Sequence, residues 1–290
     1  MSTAVFITNY NNGPWIGACV DSALAQTQLP DEIIVYDDGS TDDSLSILRT
    51  YGRRITLIEG IHDHTRTGRA SAAAGQAACF AASRATHLYL LDGDDTYLPT
   101  HIAAYEAVWT TRPDAVAVQG PMLKSDGSDL PPILFYEAYR HGPDFLGDIY
   151  RHNRTDYFYL TSALAFSRAC LNTAIPRLLQ NKLGCASDTF LFFHALFHGP
   201  ILSVSAPQTV YRTHPGSLSD QNGLRLRLPI YETRFRNHCF NRIAADYGRP
   251  PIKAWRNRTY LQQLARLWLP NWLTLPFAKL KASRRQSEQA

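Results

Sequence analysis

Leu88-Tyr89-Leu90-Leu91 running directly into Asp92-Gly93-Asp94-Asp95 is the stretch whose reading decides the fold. A short apolar run closed at once by an acidic turn reads as a buried strand delivering carboxylates to a sheet edge. The same arrangement occurs upstream, where Ile33-Ile34-Val35-Tyr36 meets Asp37-Asp38-Gly39-Ser40-Thr41-Asp42. In an open α/β sheet, ligands bind outside the carboxyl ends of the strands. Carboxylate clusters brought to that edge need a cation between them, and a metal ion holding a phosphate meets the need.

Working outward, strand-like runs at Ala4–Thr8, Glu32–Tyr36, Ile55–Ile58, His87–Leu91 and Ala115–Gln119 alternate with helical patterns at Trp15–Gln26, Asp42–Arg49, Ser71–Ser83 and Thr100–Thr111. This alternation predicts βαβ units, a mostly parallel sheet and helices on both of its faces. After Lys124 the pattern loosens. Leu160–Phe166, Ile201–Val204 and Thr209–Arg212 read as strands, Ser187–Phe197 as a helix, and 226–247 and 255–268 as basic helices.

Hydrophobic residues at 45% and charged residues at 19% of 290 residues suit a globular chain with a sizeable core. A net charge of +4 without a basic stripe gives no reason to expect a nucleic-acid partner. The five cysteines, Cys19, Cys79, Cys170, Cys185 and Cys239, are odd in number and widely spaced. That spacing argues against a disulfide framework or zinc site and for a reducing, cytoplasmic compartment. No signal peptide is evident, and no apolar stretch approaches the roughly 18 residues of a membrane span.

Asp92 and Asp94, one residue apart, can project from the same side of an extended loop, with Gly93 permitting close backbone approach. Hard oxygen ligands suit Mg²⁺ or Mn²⁺. Taken alone, each acidic segment also reads as an ordinary turn, the first followed by a capped helix. Glycine-rich phosphate loops are absent.

In order and spacing these elements resemble the family 2 glycosyltransferases, which have the GT-A (nucleotide-diphospho-sugar transferase) fold. The resemblance runs over about 3–220 and is carried by Ile7-Thr8-Asn9-Tyr10-Asn11, Ser22-Ala23-Leu24-Ala25-Gln26-Thr27, Asp31 through Asp42, Leu90 through Asp95, and Tyr211 through Ser219. It implies a catalytic domain over 1–220, with a nucleotide-binding half to about 120 and an acceptor half beyond it. A helical extension over 221–282 and a disordered tail over 283–290 would follow.

By position, the resemblance assigns Thr8 and Tyr10 to the nucleotide pocket, Asp38 to the base (typically uracil) and Asp92 to the ribose or donor sugar. Asp94 would ligate Mn²⁺ or Mg²⁺ bridging the diphosphate, with His214 a further metal or diphosphate contact. Asp188, in Ser187-Asp188-Thr189, would be the base of an inverting transfer; as an acid in the first turn of a helix it also has a purely structural explanation. The family's Ala-Arg-Asn element is missing from Gly68-Arg69-Ala70-Ser71-Ala72-Ala73-Ala74. Arg66 or Arg69 is then the candidate to supply its charge.

The implied activity moves a sugar from a nucleotide donor, a UDP-sugar, to a glycan, lipid-linked saccharide or protein acceptor. Two alternatives remain open at this point. Asp92-Gly93-Asp94-Asp95-Thr96 fits the nucleophile loop of a haloacid-dehalogenase-like phosphatase, with Lys182 as its lysine. A catalytically inactive sugar-nucleotide-binding protein is the other.

His194 and His198, four apart on a helix without an adjacent glutamate, read as core or surface histidines, and His62-Asp63-His64 as a loop near the donor site. Phe135, Tyr136, Tyr139, Tyr157, Phe158 and Tyr159 could stack on sugars or fill core. Aromatic and basic residues over 264–285 suit either an interfacial membrane contact or packing on the domain.

Overall fold

The computed structural model describes residues 1–125, 133–136, 144–153, 155, 159–180, 185–214, 228–253, 256 and 261. In chain order the elements are β1 (Thr3–Asn9), α1 (Gly13–Leu24), β2 (Glu32–Asp37), α2 (Ser44–Thr50), β3 (Thr56–Glu59), α3 (Gly68–Ala82), β4 (His87–Asp92), β5 (Thr96–Tyr97), α4 (His101–Thr111) and β6 (Ala117–Gln119). Then come β7 (Met122–Ser125), β8 (Ile133–Tyr136), α5 (Phe145–His152), β9 (Leu164–Ser167), α6 (Arg168–Leu179), α7 (Ser187–Ala195), β10 (Ile201–Ser203), β11 (Thr209–Arg212) and α8 (Leu228–Asp246).

The main sheet has the order β10-β6-β9-β4-β1-β2-β3. It is parallel except at β9, which runs antiparallel to β4 and β6. Successive strand residues face opposite sides, so Ala4, Phe6, Ile34, Leu88 and Leu90 enter one core with residues of α3, α5, α6, α7 and α8. Val5, Ile7, Ile33, Val35, Tyr89 and Leu91 enter the other with residues of α1, α2 and α4. Burial on both faces explains why these strands read as unbroken apolar runs. Each fully buried Leu, Ile or Phe contributes about 1.5–3 kcal/mol.

A smaller sheet, β5-β11-β7-β8, lies beside the carboxyl end of β4. It ties to the acidic loop that follows β4 through the Arg212 N–H, which donates to Asp95 Oδ1 at 2.8 Å.

The region expected as one strand over Leu160–Phe166 is a 3₁₀ turn, Thr161–Ala163, leading into β9. The turn brings Ser162 under the acidic loop, where its hydroxyl donates to Asp95 at 2.6 Å and accepts the Asp92 N–H at 3.0 Å.

The cysteine reading needs correction: Cys185 and Cys239 form a disulfide, joining the start of α7 to α8. A sequence separation of 54 hides this pairing, which exists because α8 packs Phe240, Ile243 and Ala244 into the same core as α7. The support that cysteine spacing lent to a reducing compartment is withdrawn. Cys19, Cys79 and Cys170 are buried thiols.

Tyr159 is fully buried with Met122 and Ala163 and fills core. The other aromatic side chains named with it lie outside the described side chains. The expected helix at 255–268, Arg256 and Leu261 aside, and the segments 264–285 and 283–290 lie outside the described residues. Among the described residues, no helix is long and apolar enough to cross a membrane.

Candidate active site

The carboxyl ends of β1, β2 and β4 stand side by side, with Thr8 opposite Asp92 and Asn9 opposite Asp37 in register. At the first acidic loop, Asp37 turns inward. Its carboxylate accepts from Asn9 Nδ2 at 2.7 Å, Ser40 Oγ at 2.7 Å and Ser40 N–H at 2.8 Å. Asp42 reaches across to accept the Gly13 N–H at 2.7 Å, and Asn11 Oδ1 accepts the Thr41 N–H at 2.8 Å. The first acidic loop thus caps α1 from outside, because Asn12 makes no side-chain cap there. Asn11 adopts the left-handed backbone region at φ 53°, which asparagine tolerates.

Asp38 points the other way, toward His62, and is buried. Its Oδ1 accepts from Tyr36 Oη at 3.3 Å, and its Oδ2 lies 2.7 Å from His62 Nδ1. The His62 ring stacks on Tyr10 with centroids 4.1 Å apart and 10° between planes. From the sequence His62 is only part of a loop near the donor site. The signal available in the sequence was its place, three residues after the end of a strand adjacent to β2.

The second loop is built on Gly93. A Cβ there would lie 2.6 Å from Asn9 Oδ1 and 3.1 Å from Thr8 O, while the Gly93 N–H donates to Thr8 O at 2.9 Å. This close approach crowds carboxylates together. Burial and the neighbouring Asp94 and Asp188 charges push Asp92 up to about 7. Burial, then Asp94 and Asp92, push Asp95 well above the carboxylate range. Thr8 Oγ1 donates to Asp92 Oδ1 at 3.4 Å.

Asp94 Oδ2 lies 3.1 Å from His214 Nε2. Arg212 supports the pair: its Nε donates to Asp94 O at 3.0 Å, and its guanidinium lies over the Trp15 ring at 4.4 Å. Ser162 and Trp15 are supports outside the motifs, and Asp95 and Arg212, within them, take supporting places that the motifs do not assign.

Asp188 sits in the first turn of α7, buried beneath the same edge. Burial raises its pKa, opposed by hydrogen bonding to Thr189 and by the positive charges of Arg236 on α8 and Arg69 on α3. The Asp188 charge helps raise Asp92, so the acid from the far half of the chain lies near the strand-end cluster. Arg69 is exposed in the first turn of α3, and Arg66, just ahead of it, pairs with Asp63 at 3.1 Å. His194 is buried away from this cluster, within hydrogen-bond reach of Thr173 and Tyr247, as expected of a core histidine.

Among the described residues, no group of three or more His, Cys, Asp or Glu side chains forms a complete metal cage. Asp94 and His214 do suit a metal shared with other ligands. Their oxygen and imidazole nitrogen, brought together at 3.1 Å, would hold a divalent cation such as Mn²⁺ or Mg²⁺ between them. The crowded carboxylates beside them favour added positive charge.

A sheet of this order, covered by helices on both faces and with acidic turns at its carboxyl edge, defines a GT-A nucleotide-diphospho-sugar transferase fold. Solved structures agree. S. aureus TarS in complex with UDP-GlcNAc aligns over 92% of this chain and 73% of its own, at 15% identity and a TM-score of 0.61. The mannosyltransferase PcManGT of Pyrobaculum calidifontis, in complex with GDP-Man and Mn²⁺, aligns over 98% and 75%, at 16% identity and a TM-score of 0.55. At such identities the likeness establishes the fold.

The chain belongs to glycosyl transferase family 2, whose sequence profile matches residues 4–195. An uncharacterized glycosyltransferase of Nostoc sp. is 28% identical over 219 residues, 74% of this chain and 65% of that protein. The glycosyltransferase GlyG of Streptococcus pneumoniae is 29% identical over 127 residues, 43% of this chain and 40% of its own. The chain thus spans less than two thirds of these relatives' lengths.

Proposed function

We propose that the chain is a metal-dependent inverting glycosyltransferase. It moves a sugar from a nucleotide-diphosphate donor, a UDP-sugar, to a hydroxyl of a glycan, lipid-linked saccharide or protein. The observation that carries this reading is the convergence of Asp38, Asp92, the Asp94–His214 pair and Asp188 on one sheet edge, although they come from distant parts of the sequence.

In this reading Tyr10 and Asp38 hold the base: a ring face for stacking, and a carboxylate for an N–H of the base. Thr8 and Asp92 meet the ribose or donor sugar, and Arg66 and Arg69 add positive charge near the phosphates. Asp94 and His214 would hold Mn²⁺ or Mg²⁺, which neutralises the charge gathering on the leaving diphosphate. Asp188 takes the proton from the acceptor hydroxyl as that oxygen attacks the anomeric carbon. Its raised pKa makes it a stronger base than an exposed aspartate. The Asp37–Asn9–Ser40 network fixes the backbone of the first acidic loop, which holds the neighbouring Asp38 in place.

Family membership sets aside the phosphatase reading, and the Lys182 it required lies outside the described residues. Contact of 264–285 with an anionic membrane surface remains part of the proposal, supported by composition alone.

The test is release of UDP from UDP-sugars. Release should need Mn²⁺ or Mg²⁺ and should vanish in Asp188→Asn while UDP still binds. Turnover by Asp188→Asn at the wild-type rate would contradict the assignment.

A further inference from the structure

The base slot of the proposed donor site is already filled by a side chain of the protein itself. Tyr10 offers a ring, 37% exposed, and Asp38 offers a buried carboxylate. His62 engages both at once, with its ring flat on Tyr10 at 4.1 Å and its Nδ1 2.7 Å from Asp38 Oδ2. An imidazole presents the two features of a pyrimidine base: a flat aromatic face and an in-plane N–H. Stacked rings at this spacing leave no room for a third between them.

The backbone explains how His62 reaches this place. β3 continues beside β2 past its last strand residue, and the Gly60 N–H donates to Asp37 O at 2.7 Å. Gly39 has φ +72°, and a Cβ on it would lie 2.7 Å from the His62 nitrogen, so only glycine lets the two segments touch. Beyond this point the chain leaves the body: Ile61 is 91% exposed, and His64 to Ala70 are exposed as well. His62 is therefore the inward-turned side chain of an outlying segment, held by its contacts with Tyr10 and Asp38 and the edge of the His64 ring at 4.7 Å.

We propose that His62 is an internal stand-in for the nucleobase, seated in the slot of the free protein and displaced by the base of the donor. The inference rests on the donor-site reading above. A binding-competent state populated only in part weakens the apparent affinity by that fraction. His62 thus sets donor affinity by competition, and it favours bases that can replace both the stack and the N–H contact to Asp38.

The experiment is calorimetric titration of UDP, with saturating Mn²⁺, into the wild-type chain, His62→Ala and His62→Phe. Removing the competitor should tighten UDP binding roughly tenfold in His62→Ala. His62→Phe keeps the ring and loses the N–H, and should fall between the two. A residue that merely supported the pocket would give the opposite sign. Equal or weaker binding by His62→Ala overturns the stand-in while leaving the donor site intact. Failure of UDP to bind any of the three proteins overturns both readings.

Discussion

His214 Nε2 and Asp94 Oδ2 lie 3.1 Å apart although 120 residues separate them in the chain. The contact joins the loop after β4 of the main sheet to the second residue after β11 of the small sheet, so a metal held by the pair would couple donor binding to the mutual placement of the two sheets. Asp94→Ala should abolish the metal-dependent part of donor binding. His214→Ala should weaken it by about 10- to 100-fold, as removal of a metal-site partner commonly does. Thermal shift with UDP across a Mn²⁺ series reads both.

Asp188 should control the acid limb of the rate profile. Burial raises its pKa, so the carboxylate loses its proton above the ordinary value near 3.9, and transfer should rise with pH through that higher point. Asp188→Asn should lower turnover by about 10²- to 10⁴-fold, the usual contribution of a positioned base. Single-turnover rates from pH 4 to 8 check the limb, and Kd for UDP should move little.

Gly93 tests the strand-end geometry. In Gly93→Ala the new Cβ meets Asn9 Oδ1 at 2.6 Å and backbone at 3.1 Å, and neither neighbour is the free end of a long side chain. The substitution should destabilise by about 1–3 kcal/mol and weaken UDP binding, because Asn9 also anchors Asp37. Urea unfolding and calorimetry measure the two effects.

Acid should loosen the fold through buried histidines. Burial pushes His101, stacked between Tyr97 and Tyr105, down to about 3, and His194 likewise to about 3. The unfolded chain then binds protons that the fold refuses, so the histidines' share of stability is complete above about 6.5 and declines as pH falls toward 3, opposed over that range by the raised carboxylates of Asp92, Asp95 and Asp188. His101→Phe should lose about 1 kcal/mol at pH 8 with its bond to Gln208 O, and should show a shallower decline between pH 6.5 and 4. Urea midpoints at several pH values give the slope.

The Cys185–Cys239 link should contribute about 4 kcal/mol by the chain-entropy account of a loop of 54 residues. Cys239→Ala should lower the melting temperature and raise the count of thiols titrated in denaturant, whereas Cys79→Ala should leave that link formed.

The central strands were legible because burial on both faces forces continuous apolar runs, as in Val5-Phe6-Ile7 and Leu88 through Leu91. The acidic loops were legible because their carboxylates directly follow those runs. Less regular parts were not. α6 carries Pro176 within its span, and β7 is a short strand of a peripheral sheet, so neither shows a clean period.

Within the site, Asp37 and Asp38 are neighbours of the same type with opposite directions, one knitting the loop and one meeting His62. No sequence pattern separates them without the β1–β2 register. His62 and the Cys185–Cys239 pair depend on contacts between segments whose meeting only the folded chain reveals.

The proposed donor site works through metal held by Asp94 and His214. Its most direct test is calorimetric titration of UDP into the wild-type chain with Mn²⁺ and again with EDTA. Saturable one-to-one binding is expected with Mn²⁺, with at least tenfold weaker binding in EDTA and no metal dependence in Asp94→Ala. Equal affinity in Mn²⁺ and EDTA, or metal dependence that survives Asp94→Ala, would contradict it.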